Sequence, residues 1–214
     1  LALTYADANE GTEVAILSLA PESATATIRK GLAMGAGSAT HVCDEALRGA
    51  DLGLTAETLA AAIRRSGFDL VITGNVSTDG SGGMIPAMLA ELLDVPHATG
   101  LSSVEISDGA VSGSRAVDTG VQKVSTSLPA VISITEALPE ARFPNFKGIM
   151  AAKKKPLEVL TLADLGITAD NPEAARSIML TVAERPPRAA GVKIIDEGDA
   201  GEKLAEFLIE NRLA

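Results

Sequence analysis

Aromatic side chains are nearly missing from this chain of 214 residues: they make up 2%, with no Trp and Tyr5 as the one Tyr. Single-stranded nucleic acid is held largely by stacking its bases on aromatic rings, so that mode of binding is disfavoured. A core without rings must be filled by Ala, Val, Ile and Leu, as in parallel sheets covered by helices. Cysteine is as scarce, and a lone Cys43 rules out an internal disulfide framework and fits a reducing compartment. His41 and His97 are the only histidines, and neither stands at metal-ligand spacing with Cys43. His41 falls in a strand pattern and reads as structural, and Cys43 as a small buried hydrophobe. No apolar run approaches the ~20 residues needed to cross a bilayer. Cations are in deficit, 18 against 28 acidic residues, and the formal charge of -10 repels DNA, RNA and anionic membranes. A G-x-S-x-G elbow, a Walker-type Lys and a strict G-x-G-x-x-G are also missing, which disfavours serine hydrolases, P-loop ATPases and standard dinucleotide-binding oxidoreductases. No catalytic machinery assembles.

What the chain has is aliphatic mass, 46% hydrophobic, enough for a sizeable core. Residues 13–19 form a short β-branched run that predicts a buried strand, and residues 22–34 turn helical, with Ile28 and Leu32 four apart and Gly35 beyond the end. A second strand follows at 39–43, then a helix at 55–66 with Thr55 as its cap. A third strand at 68–73 leads through a Gly-rich loop into a helix at 84–93. This rhythm is that of a doubly wound, mainly parallel α/β sheet. Residues 101–106 and 110–117 flank Ser107-Asp108-Gly109, a hairpin signal, and 122–127 and 130–134 add strands on either side of Pro129. An antiparallel extension on a parallel core is the simplest account. A helix is expected over 145–155 and a strand over 157–162. Residues 1–169 are thus read as an α/β domain. Residues 170–214 are read as an arm with three prolines in 170–198, ending in an amphipathic helix over 202–213 striped by Leu204, Phe207, Leu208 and Leu213.

Two stretches stand out chemically. Gly74, Asn75, Val76, Ser77, Thr78, Asp79, Gly80, Ser81, Gly82, Gly83 and Met84 lie at the carboxyl end of a buried strand and open a helix. Open α/β sheets bind ligands there, because backbone amides and the helix N-terminus converge. Glycines let the backbone approach a phosphate, and Ser77, Thr78 and Ser81 offer hydroxyls. The bland alternative is a plain connecting loop. The second stretch runs through Arg142, Phe143, Pro144, Asn145, Phe146, Ile149 and Met150 to Lys153, Lys154 and Lys155. It holds half of the four Phe residues. Its aromatics either tuck into the core or form an apolar anchor beside a positive patch. Composition does not choose between them.

Taken in order, Val71-Ile72-Thr73-Gly74-Asn75 with Ser77-Thr78-Asp79-Gly80, Leu128-Pro129-Ala130-Val131, and Ala141-Arg142-Phe143-Pro144 through Lys155 resemble the beta subunits of electron-transfer flavoproteins. Ile28-Arg29-Lys30 with Leu32-Ala33-Met34-Gly35-Ala36, and Asp164-Leu165-Gly166, extend the resemblance over nearly the whole chain. The resemblance implies an adenine-nucleotide alpha-hydrolase-like fold without hydrolase activity, and no enzyme in its own right. It implies structural AMP at the Gly74–Met84 loop, with Leu19 against the adenine, and FAD held mainly by an alpha subunit. The arm 170–214 would dock on that subunit. Residues Ala141 to Met150 would dock dehydrogenases, with Phe146 as the apolar anchor and the lysines as the basic end. Electrons would pass from acyl-CoA and other dehydrogenases to the membrane-bound electron-transfer flavoprotein quinone oxidoreductase, as in fatty acid beta-oxidation. The implied location is cytoplasmic in a bacterium and the mitochondrial matrix in a eukaryote, with no direct membrane insertion. The family carries a further strand and helix ahead of the position of Leu1. Two alternatives stay open: a bifurcating relative with a second FAD in place of AMP, and a stand-alone nucleotide-binding stress or sensor protein.

Overall fold

The computed structural model describes residues 1–78, 80–172, 174, 176–188, 190–191 and 193–213. In chain order the elements are α1 (Ala2–Ala8), β1 (Ala15–Leu19), α2 (Thr25–Met34), β2 (Ser38–Val42), α3 (Leu52–Ser66), β3 (Leu70–Gly74), α4 (Ile85–Leu93) and β4 (His97–Leu101). They continue with β5 (Ser103–Ser107), β6 (Ala110–Val117), β7 (Gly120–Ser127), β8 (Ala130–Ile134), α5 (Phe146–Ala152), β9 (Leu157–Leu160) and α6 (Ala200–Glu210). The chain divides into two units, Leu1–Met179 and Leu180–Ala214.

The strand–helix alternation produces parallel pairing, as short runs joined by helices require. Strands pair in parallel in the orders β1-β2-β9 and β3-β8-β4. The parallel part is thus two three-stranded sheets where the sequence suggested one. Central β8 shows why its residues are apolar and small: Ala130, Val131, Ile132 and Ser133 are all fully buried. The third sheet, β5-β6-β7, is antiparallel. Asp108-Gly109 makes its first turn, with Ser107 paired to Ala110 and Gly109 at φ +73°. That is the positive-φ position for which glycine is favoured. Along β5, exposed Ser103, Glu105 and Ser107 alternate with half-buried Val104 and Ile106, so one face is covered.

α3 ties the two parallel sheets together. Its buried Ala60 and Ile63 pack with Leu17 of β1, Val71 of β3, Val131 of β8, and Leu89 and Ala90 of α4. Alanines at 56, 60 and 62, all fully buried, let the helix lie close to the strands. Asp51, not Thr55, caps it: Asp51 Oδ1 accepts from the Leu54 amide at 2.8 Å, and Thr55 lies inside the first turn. The helix therefore begins one turn earlier than the periodicity of Leu59 and Ile63 suggests.

Residues 170–179, expected in the arm, belong to the first unit. Arg176 reaches Glu57 at 2.6 Å and Asp51 at 4.0 Å, and the Ser177 amide donates to Asp51 Oδ2 at 2.7 Å. The Leu54 and Ser177 amides, aided by the Arg176 guanidinium, hold the Asp51 carboxyl below its ordinary pKa. In the second unit α6 has no buried residue among those described, and Leu204, Phe207, Ile209 and Leu213 are exposed. The helix runs over Ala200–Glu210, so Leu204, Phe207 and Leu208 of the expected stripe lie on it and Leu213 lies past its end.

Candidate functional site

The loop after β3 begins where the sequence places it, at the carboxyl end of a strand and ahead of α4. Asn75 is fixed first. The buried Ser133 of β8 accepts from the Gly100 amide at 2.7 Å and donates to Asn75 Oδ1 at 3.3 Å. Gly100 sits at φ +72°, a backbone state that turns its amide toward Ser133 without a side chain to strain it. Thus β3, β8 and β4 jointly set the first residue of the loop. Neither Ser133 nor Gly100 stands out in the sequence, because both lie many positions from Asn75.

Beyond Asn75 the loop folds on its own backbone. The Ser81 amide donates to the Ser77 carbonyl at 2.9 Å, with Ser81 at φ +50° and Gly83 at φ +62°. A Cβ at Gly74 or Gly80 would meet nothing within 4 Å, so the space over these residues is open. A Cβ at Gly83 would come within 3.5 Å of Val76 and 3.6 Å of the Asn75 carbonyl oxygen. Ser77, Thr78, Gly80, Ser81, Gly82, Gly83 and Met84 are exposed. Asp79 lies outside the described residues. Met84 precedes α4 without a side-chain cap, and Pro86 stands in the first turn. The amide end of α4 therefore faces the loop with its partial positive charge unneutralised by a capping side chain.

Leu19 ends β1 and packs with Val42, Leu47 and Leu54. Leu54 lies in the first turn of α3, and Leu52, which opens the helix, lies 3.7 Å from where a Cβ of Gly82 would stand. The start of α3 is thus the shared neighbour of Leu19 and the glycine loop. Behind Leu19, buried His41 holds the Ala20 carbonyl at 2.9 Å through Nε2, the structural role expected of it. Open glycine backbone, serine and threonine hydroxyls and an uncapped helix start suit an anionic group such as phosphate. Among the described residues no group of three or more His, Cys, Asp or Glu could hold a metal ion.

The second stretch is exposed. Phe143 and Phe146 are 89% and 80% accessible, and Ile149 and Met150 are about half accessible. Asn145 caps α5 by accepting from the Gly148 amide at 2.7 Å, which places Phe146 at the first helical position. Arg142 pairs with Asp7 of α1 at 2.6 Å, Pro144 is half-buried, and Lys153 and Lys154 are exposed. Lys155 differs from its two neighbours: its Nζ donates to the Leu32 and Ala36 carbonyls at 3.0 and 2.6 Å. The positive patch in solvent is therefore Lys153 and Lys154, with Lys147 on the same segment.

Among the described residues, no helix is long and apolar enough to cross a membrane. Residues 1–165 match the family model described as electron transfer flavoprotein domain. An electron transfer flavoprotein subunit beta of Mycobacterium tuberculosis (strain H37Rv) is 44% identical over 211 residues, 97% of this chain and 79% of the relative. The subunit beta of Bacillus subtilis is 33% identical over 92% of this chain and 76% of its own length. Subunit CarD of the caffeyl-CoA reductase-Etf complex of Acetobacterium woodii is 32% identical over 81% of this chain and 65% of its own. This chain belongs to the electron transfer flavoprotein family, among its beta subunits.

Proposed function

We propose that this chain is the beta subunit of a heterodimeric electron-transfer flavoprotein and binds AMP as a structural ligand. The fold is of the adenine-nucleotide alpha-hydrolase-like type. FAD is held mainly by the alpha subunit, accepts electrons from acyl-CoA and other dehydrogenases, and passes them to a membrane-bound quinone oxidoreductase. The observation that carries the reading is the pair Phe143 and Phe146, held almost wholly in solvent, with Phe146 on a capped helix start and Phe143 three residues ahead of it. An aromatic left in water beside lysines marks an interface. A small anchor suits a carrier that must leave each partner after reduction. The Gly74–Met84 loop supports the nucleotide half. Its backbone amides and hydroxyls would hold the phosphate, and Leu19 with Leu52 would face the base.

Replacing Gly82 and Gly83 with Val tests the loop. A β-branched residue in the left-handed region at Gly83 costs about 1–2 kcal/mol, and its side chain occupies the approach to the backbone. Calorimetry on the heterodimer should show AMP affinity falling about five- to thirtyfold, since about 1.4 kcal/mol is a factor of ten. Unchanged affinity in the double variant would remove AMP from this loop.

A further inference from the structure

α5 spans only Phe146–Ala152, and a helix of that length does not hold itself together in water. Its hold comes from α2. Ala152 closes the cluster of Ile28, Leu32, Ala33, Ala36 and Ala39. Gly148 passes the Ala33 backbone so closely that a Cβ would run into the Ala33 carbonyl oxygen. Two cations then cross between the helices in opposite directions. Arg29 of α2 donates through one guanidinium nitrogen to the carbonyls of Ala152 and Lys155, at 2.8 and 3.0 Å, at the end of α5. Lys155 donates back to the carbonyls of Leu32 and Ala36 at the end of α2. The end of α5 receives its cation from α2, and the end of α2 receives one from Lys155, three residues past α5, where carbonyls lack helical partners and the macrodipole is negative.

This arrangement divides α5 by face. Gly148 and Ala152, four apart, lie against α2, while Phe146, Ile149 and Met150, at three- and four-residue spacing, are left exposed. We infer that Arg29, Gly148 and Lys155 form a clamp that pre-sets Phe146, Ile149 and Met150 for partner capture. The inference rests on the docking role of Phe146 and makes the three positioning residues. A brief complex with a small anchor gains little from ordering a loose segment at every encounter, so holding that segment ready lowers the cost of each one.

The test uses the heterodimer with its alpha subunit, comparing Arg29→Met, Lys155→Met and the conservative Lys155→Arg. If loss of the clamp leaves about a tenth of molecules with the anchor in place, the apparent KM for an acyl-CoA dehydrogenase rises about tenfold at unchanged kcat. Amide hydrogen exchange across residues 146–152 accelerates, AMP and flavin content stay constant, and Lys155→Arg restores KM. In a Phe146→Ala background, Arg29→Met raises KM by a smaller factor than in the unaltered protein, because only Ile149 and Met150 remain to be presented. Should Arg29→Met fail to assemble, the milder Arg29→Gln gives the same order of effects. Unchanged exchange in α5 for the Met variants overturns the clamp, whatever Phe146 does. Faster exchange with unchanged KM, in a protein where Phe146→Ala does raise KM, overturns the positioning role. A Phe146→Ala variant without effect on KM overturns the docking reading itself, and the positioning role with it.

Discussion

Phe146→Ala separates docking from folding, because so little of this ring is buried. A Phe side chain buries roughly 200 Å² when fully enclosed. With the residue 80% accessible, about a fifth of that area is covered, worth roughly 1 kcal/mol at most to the fold. The remaining four-fifths is available to a partner, with an upper bound of about 4 kcal/mol by the same area measure. Truncation of an anchor commonly costs about 2 kcal/mol or more of binding, so a loss of about thirtyfold is expected. Steady-state reduction by a purified acyl-CoA dehydrogenase should show this as a raised KM, with kcat, AMP content, FAD content and heterodimer yield held. An unchanged KM would show that the exposed ring docks nothing in this reaction. Loss of flavin or of the heterodimer would show that Phe146 serves the assembly rather than the encounter.

Removing residues 180–214 should abolish pairing with the alpha subunit while the first unit keeps its thermal transition, because α6 buries nothing among the described residues; co-purification at full yield would refute this. Asp51 has a pKa lowered by the Leu54 and Ser177 amides and then by Arg176, so its contribution is present above the unfolded-state pKa. That contribution is lost as pH falls through the depressed folded value. Asp51→Ala should cost about 1–2 kcal/mol near neutrality through loss of the cap. It should also flatten the acid limb of thermal stability against pH, and an acid limb as steep as in the unaltered protein would refute the assignment.

Much of the parallel core was legible because its signals are local. A β-branched run followed by Gly74 through Gly83 announces a strand, a loop and a helix, and Asp108-Gly109 announces a hairpin. What stayed hidden depends on residues meeting across the chain. Ser133 is one serine among many until β8 sets it between Asn75 and the Gly100 amide. Lys155 is indistinguishable in sequence from Lys153 and Lys154. Only the packing of α5 on α2 turns it toward two carbonyls. α1 carries no signal in the sequence because it has neither a side-chain cap nor a buried residue to impose a period. Composition left two readings of Phe143 and Phe146, and their exposure favours the interface.

The most direct measurement of the central claim is the small-molecule content of the heterodimer, co-expressed with its alpha subunit, gently purified and denatured. Mass spectrometry with a flavin absorbance count should give one AMP and one FAD per dimer, with the AMP lost in the Gly82→Val, Gly83→Val variant and the FAD retained. Two FAD and no AMP would make this a bifurcating form. A stable monomer that carries a nucleotide and pairs with no flavin-bearing subunit would contradict the account.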